Sequence, residues 1–126
     1  MKNQIANLIE IIPVVFIASQ TKDTITTKTG KTMLKYYTSE SKFEQSSNIE
    51  NGNHYVSQTD ERVVTDMPDY VQRNLNGCDV AVILETTSGV RRVWGDRDNP
   101  VQCVIKYDTS GVKLSLTRKS PTPLLF

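Results

Sequence analysis

The residue types that could carry chemistry are few. His54 is the single histidine. A serine or cysteine hydrolase needs a base beside its nucleophile, and His54 would have to serve. It follows the polar run Asn51-Gly52-Asn53, which reads as surface, and no serine or cysteine sits in a nucleophile-elbow pattern. The acidic pairs Asp60-Glu61 and Asp96-x-Asp98 could serve a metal or a glycosidase. Counted from Asp96, however, the sixth and twelfth places of a calcium loop hold Val101 and Tyr107 instead of Gly and Glu. Asp96-Arg97-Asp98-Asn99 therefore reads as turn chemistry. Gly30-Lys31 lacks the glycine spacing of a phosphate loop. Cys78 and Cys103 stand apart with no Cys-x-x-Cys and no Cys/His cluster, so they read as two buried thiols or, in an oxidising compartment, a disulfide. No catalytic residue, cofactor site or metal site is expected, and the chain is not expected to be an enzyme.

The richer signal is for contact. On a strand, Arg91 and Val93 would share one face, and Arg92 and Trp94 the other. Arg and Trp are enriched at interface hot spots, but a Trp with an Arg stem lying over it is also an ordinary core arrangement. The tail Arg118-Lys119-Ser120-Pro121-Thr122-Pro123-Leu124-Leu125-Phe126 ends in three apolar residues after two prolines. Exposed, Leu124, Leu125 and Phe126 would be costly, so they should pack on their own barrel or on a neighbour. The formal net charge is +1, yet residues 1–38 carry +3 (five basic, two acidic), residues 39–69 carry −5 (two basic, seven acidic) and residues 70–126 carry +3 (eight basic, five acidic). An acidic middle, with Glu44 and Glu50 in it, between basic ends suits head-to-tail contact between copies. Candidate subunit-contact residues are thus Arg91, Arg92, Trp94, Leu124, Leu125, Phe126, Glu44 and Glu50.

The elements that position them read as mostly strand. At 126 residues the chain has the length of one domain. Val, Ile and Thr make up 36 residues against three Ala, which favours pleated structure over helix. No apolar run is long enough for a membrane helix, and near-zero charge argues against wholesale grip on a nucleic acid backbone. Glu10 and Asn7 interrupt the apolar start, so it reads as structured rather than as a cleaved signal. There, Ile5, Leu8, Ile9 and Ile12 fit one helical face ending at Pro13, followed by a buried strand over Val14–Ser19. Residues 24–27 and 32–37 suggest a hairpin around Gly30. Residues 39–53, rich in Ser and Asn, read as a long polar loop or a hairpin arm. Strand character resumes over 54–60 and 62–65. Asp66 to Gly77 predicts the one helix, with Asp66 as cap and Gly77 as stop. A four-strand meander follows over 79–118, in which Val112, Leu114 and Leu116 alternate with polar residues. The expected fold is mainly β: an antiparallel sandwich or barrel of seven to nine strands with one short flanking helix.

Residues 79–126 also resemble small virion proteins encoded by phages and prophages of Bacteroidetes. The likeness lies in the order Val80–Leu84, Gly89, Arg92-Val93-Trp94-Gly95, Asn99-Pro100, Gly111, Val112–Leu116 and Ser120-Pro121-Thr122-Pro123. The resemblance implies a tail-tube-like fold and a tail or head–tail connector component. Such a protein forms ring homo-oligomers, with a hexamer expected, and meets other virion proteins. It would be assembled in the bacterial host cytoplasm, with no specific nucleic-acid readout and no membrane. Two other readings stand beside it. One is an OB-like barrel that binds a small ligand or nucleic acid through Trp94, Arg92 and Tyr107. The other is a secreted domain bridged by Cys78 and Cys103.

Overall fold

The computed structural model describes residues 5–109 and 111–126, apart from the side chain of Asp108. The chain is mainly β, as its β-branched composition predicts. Strands β1 (Leu8–Pro13), β4 (Leu34–Tyr37), β5 (Glu44–Glu50), β6 (Asn53–Val64), β7 (Cys78–Glu85), β8 (Arg91–Trp94), β9 (Val101–Asp108) and β10 (Gly111–Ser120) build one antiparallel sheet. Its path runs β4-β1-β7-β9-β10-β6-β5, with β8 on β7. Strands β2 (Ile17–Gln20) and β3 (Ile25–Thr27) form a separate two-stranded ribbon.

The sheet curls on itself. One continuous stretch, residues 34–50, pairs with β1 at its start and with β6 at its end. Between them the Thr38 amide donates to the Asn7 carbonyl and the Ser39 amide to the Val63 carbonyl, both at 2.9 Å. The two ends of the sheet path thus share one length of chain, which closes the sheet at residues 38–39 and leaves the outer edge of β5 open.

Strand β7 runs through the middle and is apolar on both faces. Val80, Val82 and Leu84 point into the inner core with Ile9, Ile11, Trp94, Val101, Cys103, Leu114 and Leu116. Ala81 and Ile83 point outward and are covered, with Ile12 and Val93, by Val14 and Ile17 from the stretch leading into the β2–β3 ribbon. Cover on both faces is why residues 80–84 read as an unbroken apolar run instead of an alternation. Each fully buried aliphatic side chain in these clusters contributes roughly 1.5–3 kcal/mol.

Several expectations are corrected. The N-terminal helix is instead strand β1. Ile9 and Ile11 are needed on the inner face while Ile12 is needed on the outer one, and a helix would present one face alone. The expected strand over Val14–Ser19 is broken by a 3-10 turn at Val14–Phe16. The hairpin of residues 24–27 with 32–37 does not form: β3 pairs with β2 and β4 with β1. The turn between them is real, with the Lys31 amide donating to the Lys28 carbonyl at 3.0 Å. The last third is not a simple meander, because β8 and β9 lie in tandem along β7. Gly95 permits that break. It has φ +96°, and a Cβ there would sit 2.8 Å from Val101 Cγ2.

The helix α1 (Asp69–Leu75) is shorter than predicted. Pro68 is its N-cap residue, and no side chain caps it, so Asp66 does not play that role. Val71 and Leu75 join the inner core. The Asn76 side chain accepts from the Ile105 amide at 3.0 Å and ties the helix end to β9.

Candidate assembly site: the arm, the buried polar row and the tail

Of the two readings for residues 39–53, the structure has the hairpin arm. Asn51 and Gly52 both take positive φ, +52° and +79°, the two-residue turn whose twist matches the strands it joins. Strand β5 is exposed along almost its whole length. It ends the sheet path, so its outer edge carries unpaired backbone groups. Proteins usually blunt such an edge with Lys, Pro or a bulge. The sequence Glu44-Gln45-Ser46-Ser47-Asn48-Ile49-Glu50 has neither residue, and its pairing with β6 is regular throughout. Ile49 is 68% exposed. Glu50 meets Lys119 at 3.5 Å, but both ends are well exposed and such a pair is worth about 0–1 kcal/mol.

The inner face of β6 is polar where the others are apolar. Val56, Gln58, Asp60, Arg62 and Val64 all point inward and are buried. The Arg62 side chain donates from Nε to Asp60 Oδ2 at 2.9 Å. Its Nη1 donates to the Ala6 and Leu8 carbonyls at 3.1 and 3.3 Å. The Asp60 carboxylate also accepts from the Lys42 amide at 2.9 Å and the Ser41 hydroxyl at 3.1 Å. One ion pair therefore clamps the start of β1 and the closing stretch 38–42 to β6. A buried pair like this needs every bond, because desolvation opposes the Coulomb attraction. Among the described residues, Arg62 Nη2 is the one buried side-chain nitrogen or oxygen with no hydrogen-bond partner.

Gln58 continues the row. Its Oε1 accepts from Trp94 Nε1 at 2.8 Å and from Arg118 Nη1 at 3.2 Å. Its Nε2 donates to Gln45 Oε1 at 2.8 Å. Gln45 then holds the tail, with Nε2 donating to the Leu124 carbonyl at 2.8 Å and Oε1 accepting from the Leu124 amide at 2.7 Å. Arg92 Nε donates to the Leu125 carbonyl at 2.9 Å. The rings of Phe126 and Phe43 meet edge to face at 6.3 Å, and those of Phe43 and Trp94 at 5.1 Å. The tail thus straps β5 to β8.

Five of the eight predicted contact residues come together here: Arg92, Trp94, Leu124, Leu125 and Phe126. Trp94 is fully buried, so its role is the core one, and as a subunit contact it is corrected. Leu124 and Phe126 pack on their own core, while Leu125 is 72% exposed. Arg91 lies on the opposite face, bound to Glu10 at 2.6 Å and near Glu85 at 3.6 Å. Burial pulls its pKa down, but those two carboxylates outweigh it and the net direction is up. Glu44 and Glu50 mark the two ends of β5, both exposed. The OB-like set does not assemble: Trp94 is interior while Tyr107 is 80% exposed.

Cys78 and Cys103 face each other across β7 and β9 as free thiols. Burial pushes Cys103 up to about 12, with Cys78 adding to the rise. Burial and the Asp79 charge raise Cys78. Both thiols are therefore protonated and poorly nucleophilic near neutral pH. Among the described residues, no group of three or more potential metal ligands occurs. No helix is long and apolar enough to cross a membrane.

The sequence did not single out Gln45, Gln58 or Arg62, and it offered Asp60 for a metal or a glycosidase, where the structure instead pairs it with Arg62. The available signal was parity: the even positions from Val56 to Val64 form one face, apolar at both ends and polar between. Compared with family models, curated proteins and solved structures, the chain matches none.

Proposed function

We propose that this chain is a structural protein of a phage virion, a tail-tube or head–tail connector component that assembles into rings with copies of itself. The observation that carries the assembly reading is the β5–β6 arm. It is a regular hairpin whose edge strand is exposed and has no Lys, Pro or bulge, so its free backbone groups are open to pairing with another copy. The charge pattern of +3, −5 and +3 along the chain supports a head-to-tail contact, which closes into a ring or continues as a filament. The virion setting rests on the order of motifs over residues 79–126. Its mechanism is mechanical: backbone pairing and apolar burial join subunits, and opposite charges set the register.

Light scattering on the purified full chain tests this, with a ring-sized particle, a hexamer in the simplest case, as the expected result. A species of 14.2 kDa at every concentration and salt would remove the reading.

A further inference from the structure

The acidic arm edge has a matching basic edge elsewhere on the same surface. Strand β3 pairs only with β2 in the two-stranded ribbon, so one of its edges is also unpaired. Lys28 follows it directly and Lys22 lies in the Thr21–Thr24 turn that leads into it, while Glu44 and Glu50 are the end residues of β5. The ribbon covers the outer face of β1 and β7, while β5 borders β6, three strands along the sheet from β7. The two edges can meet by joining one copy to the next.

Backbone parity sharpens the match. The Asn51-Gly52 turn makes Glu50 and Asn53 a hydrogen-bonded pair, so the amides and carbonyls of Glu44, Ser46, Asn48 and Glu50 face β6. Those of Gln45, Ser47 and Ile49 face outward. In β3 the Lys28 amide donates inward to the Phe16 carbonyl and the Thr24 carbonyl accepts inward from the Thr21 amide. Ile25 and Thr27 therefore face outward. An antiparallel alignment of Ile25 with Ser47 and Thr27 with Gln45 brings outward groups together on both strands. The same alignment sets Lys28 opposite Glu44 and leaves Lys22, in the turn just before β3, at the end of the pairing where Glu50 lies. Sliding by two residues in either direction keeps the backbone parity but loses the Lys28–Glu44 match. Pairing β5 with a second β5 about Ser47 would instead set Glu44 against Glu50, like charge on like.

We propose that β5 of one copy adds to β3 of the next copy in this register. The inference rests on the assembly reading above and names the surface that completes it.

Sedimentation of the full chain, wild type and variants, tests it. Glu44→Lys and Lys28→Glu are each expected to weaken self-association at least tenfold, and the double variant to recover most of that loss. Both positions are exposed, and thermal melting of each variant checks that the fold is kept. Ser47→Pro removes one outward amide and is expected to weaken association at an unchanged melting temperature. Zero-length carbodiimide coupling of assembled wild type should yield a Lys28–Glu44 cross-linked peptide, formed between copies. If wild type assembles but the charge variants behave like it, or the double variant is no better than either single one, this register is wrong and the assembly reading survives. If wild type never associates, both fall.

Discussion

Strands β7 and β6 do opposite work with the same inward geometry. The inner row of β7 is Val80, Val82 and Leu84; that of β6 has Gln58, Asp60 and Arg62 at its centre. The apolar row stabilises without direction: any side chain of the right volume serves. The polar row is directional, because each bond has one partner at one place. Several of those partners lie outside the strand ladders, namely Ala6 just before β1, Ser41 and Lys42 in the closing stretch, and Leu124 in the tail through Gln45, while Leu8 is the first residue of β1. The difference teaches how a small curled sheet fixes its irregular parts. It leaves one row of its core polar and uses it as a set of clamps.

The sharpest way to break this comparison is to remove one side of the ion pair. Asp60→Ala leaves the Arg62 guanidinium buried without its carboxylate, and the expected loss is about 3–5 kcal/mol in chemical denaturation. Replacing both, Asp60→Leu with Arg62→Met, should recover most of that stability. It should also release the closing stretch, read as faster amide exchange at Thr38 and Ser39. If the double replacement protects those amides as well as wild type does, the row is filler and not a clamp. Leu84→Ala on the apolar row should cost about 2–5 kcal/mol but leave the exchange pattern alone.

Trp94 belongs to both rows. Its ring is core, and its Nε1 donates to Gln58. Trp94→Phe keeps an aromatic ring but removes one of the two hydrogen bonds to Gln58 Oε1 and opens space, with an expected loss of about 1–3 kcal/mol. Coupling between Trp94→Phe and Gln45→Ala in a double-mutant cycle would place the tail on the same network, whereas strict additivity would separate them.

How much of this was legible depended on which row a residue served. The alternation of Val112, Leu114 and Leu116 marked an inner face at once, and the continuous run at 80–84 marked a strand, whose cover on both faces only the structure shows. The polar stretch with Asn51-Gly52 marked a loop or an arm, and the turn chemistry decided for the arm. Asp60 stood out only as half of an acidic pair and Arg62 not at all, because charge at alternate positions normally faces water. Beyond the pair itself, burial there depends on partners 18 to 56 residues away, which no local window contains. The start of the chain misled for another reason. Ile5, Leu8, Ile9 and Ile12 satisfy a helical period, and the demand for Ile11 inward and Ile12 outward comes from strands far along the chain.

On the apolar side, Cys103 gives a pH test. Its pKa is held near 12 in the folded chain against 9.0 for the free group. A raised thiol pKa means the unfolded chain loses its proton first. Stability is therefore whole below pH 9 and declines as pH rises toward 12. The loss at pH 10 is about 1.4 kcal/mol. Cys103→Val removes the group at similar volume, so its stability should fall less steeply between pH 9 and 11. Equal slopes for the two chains would show that the burial of this thiol is not felt.

The smallest effect belongs to the arm. Lys119→Ala removes the ion pair to Glu50 and the stacking of Nζ over the Tyr55 ring at 4.9 Å. Both contacts are exposed and solvent-screened, so the isolated chain should lose less than about 1 kcal/mol. The same change leaves Glu50 without its internal partner and available to another copy. Self-association should hold or strengthen while stability scarcely moves. A fall in association with stability unchanged would mean that Lys119, and not Glu50, is the group that faces the neighbour, and the charge logic of the arm would have to be reversed.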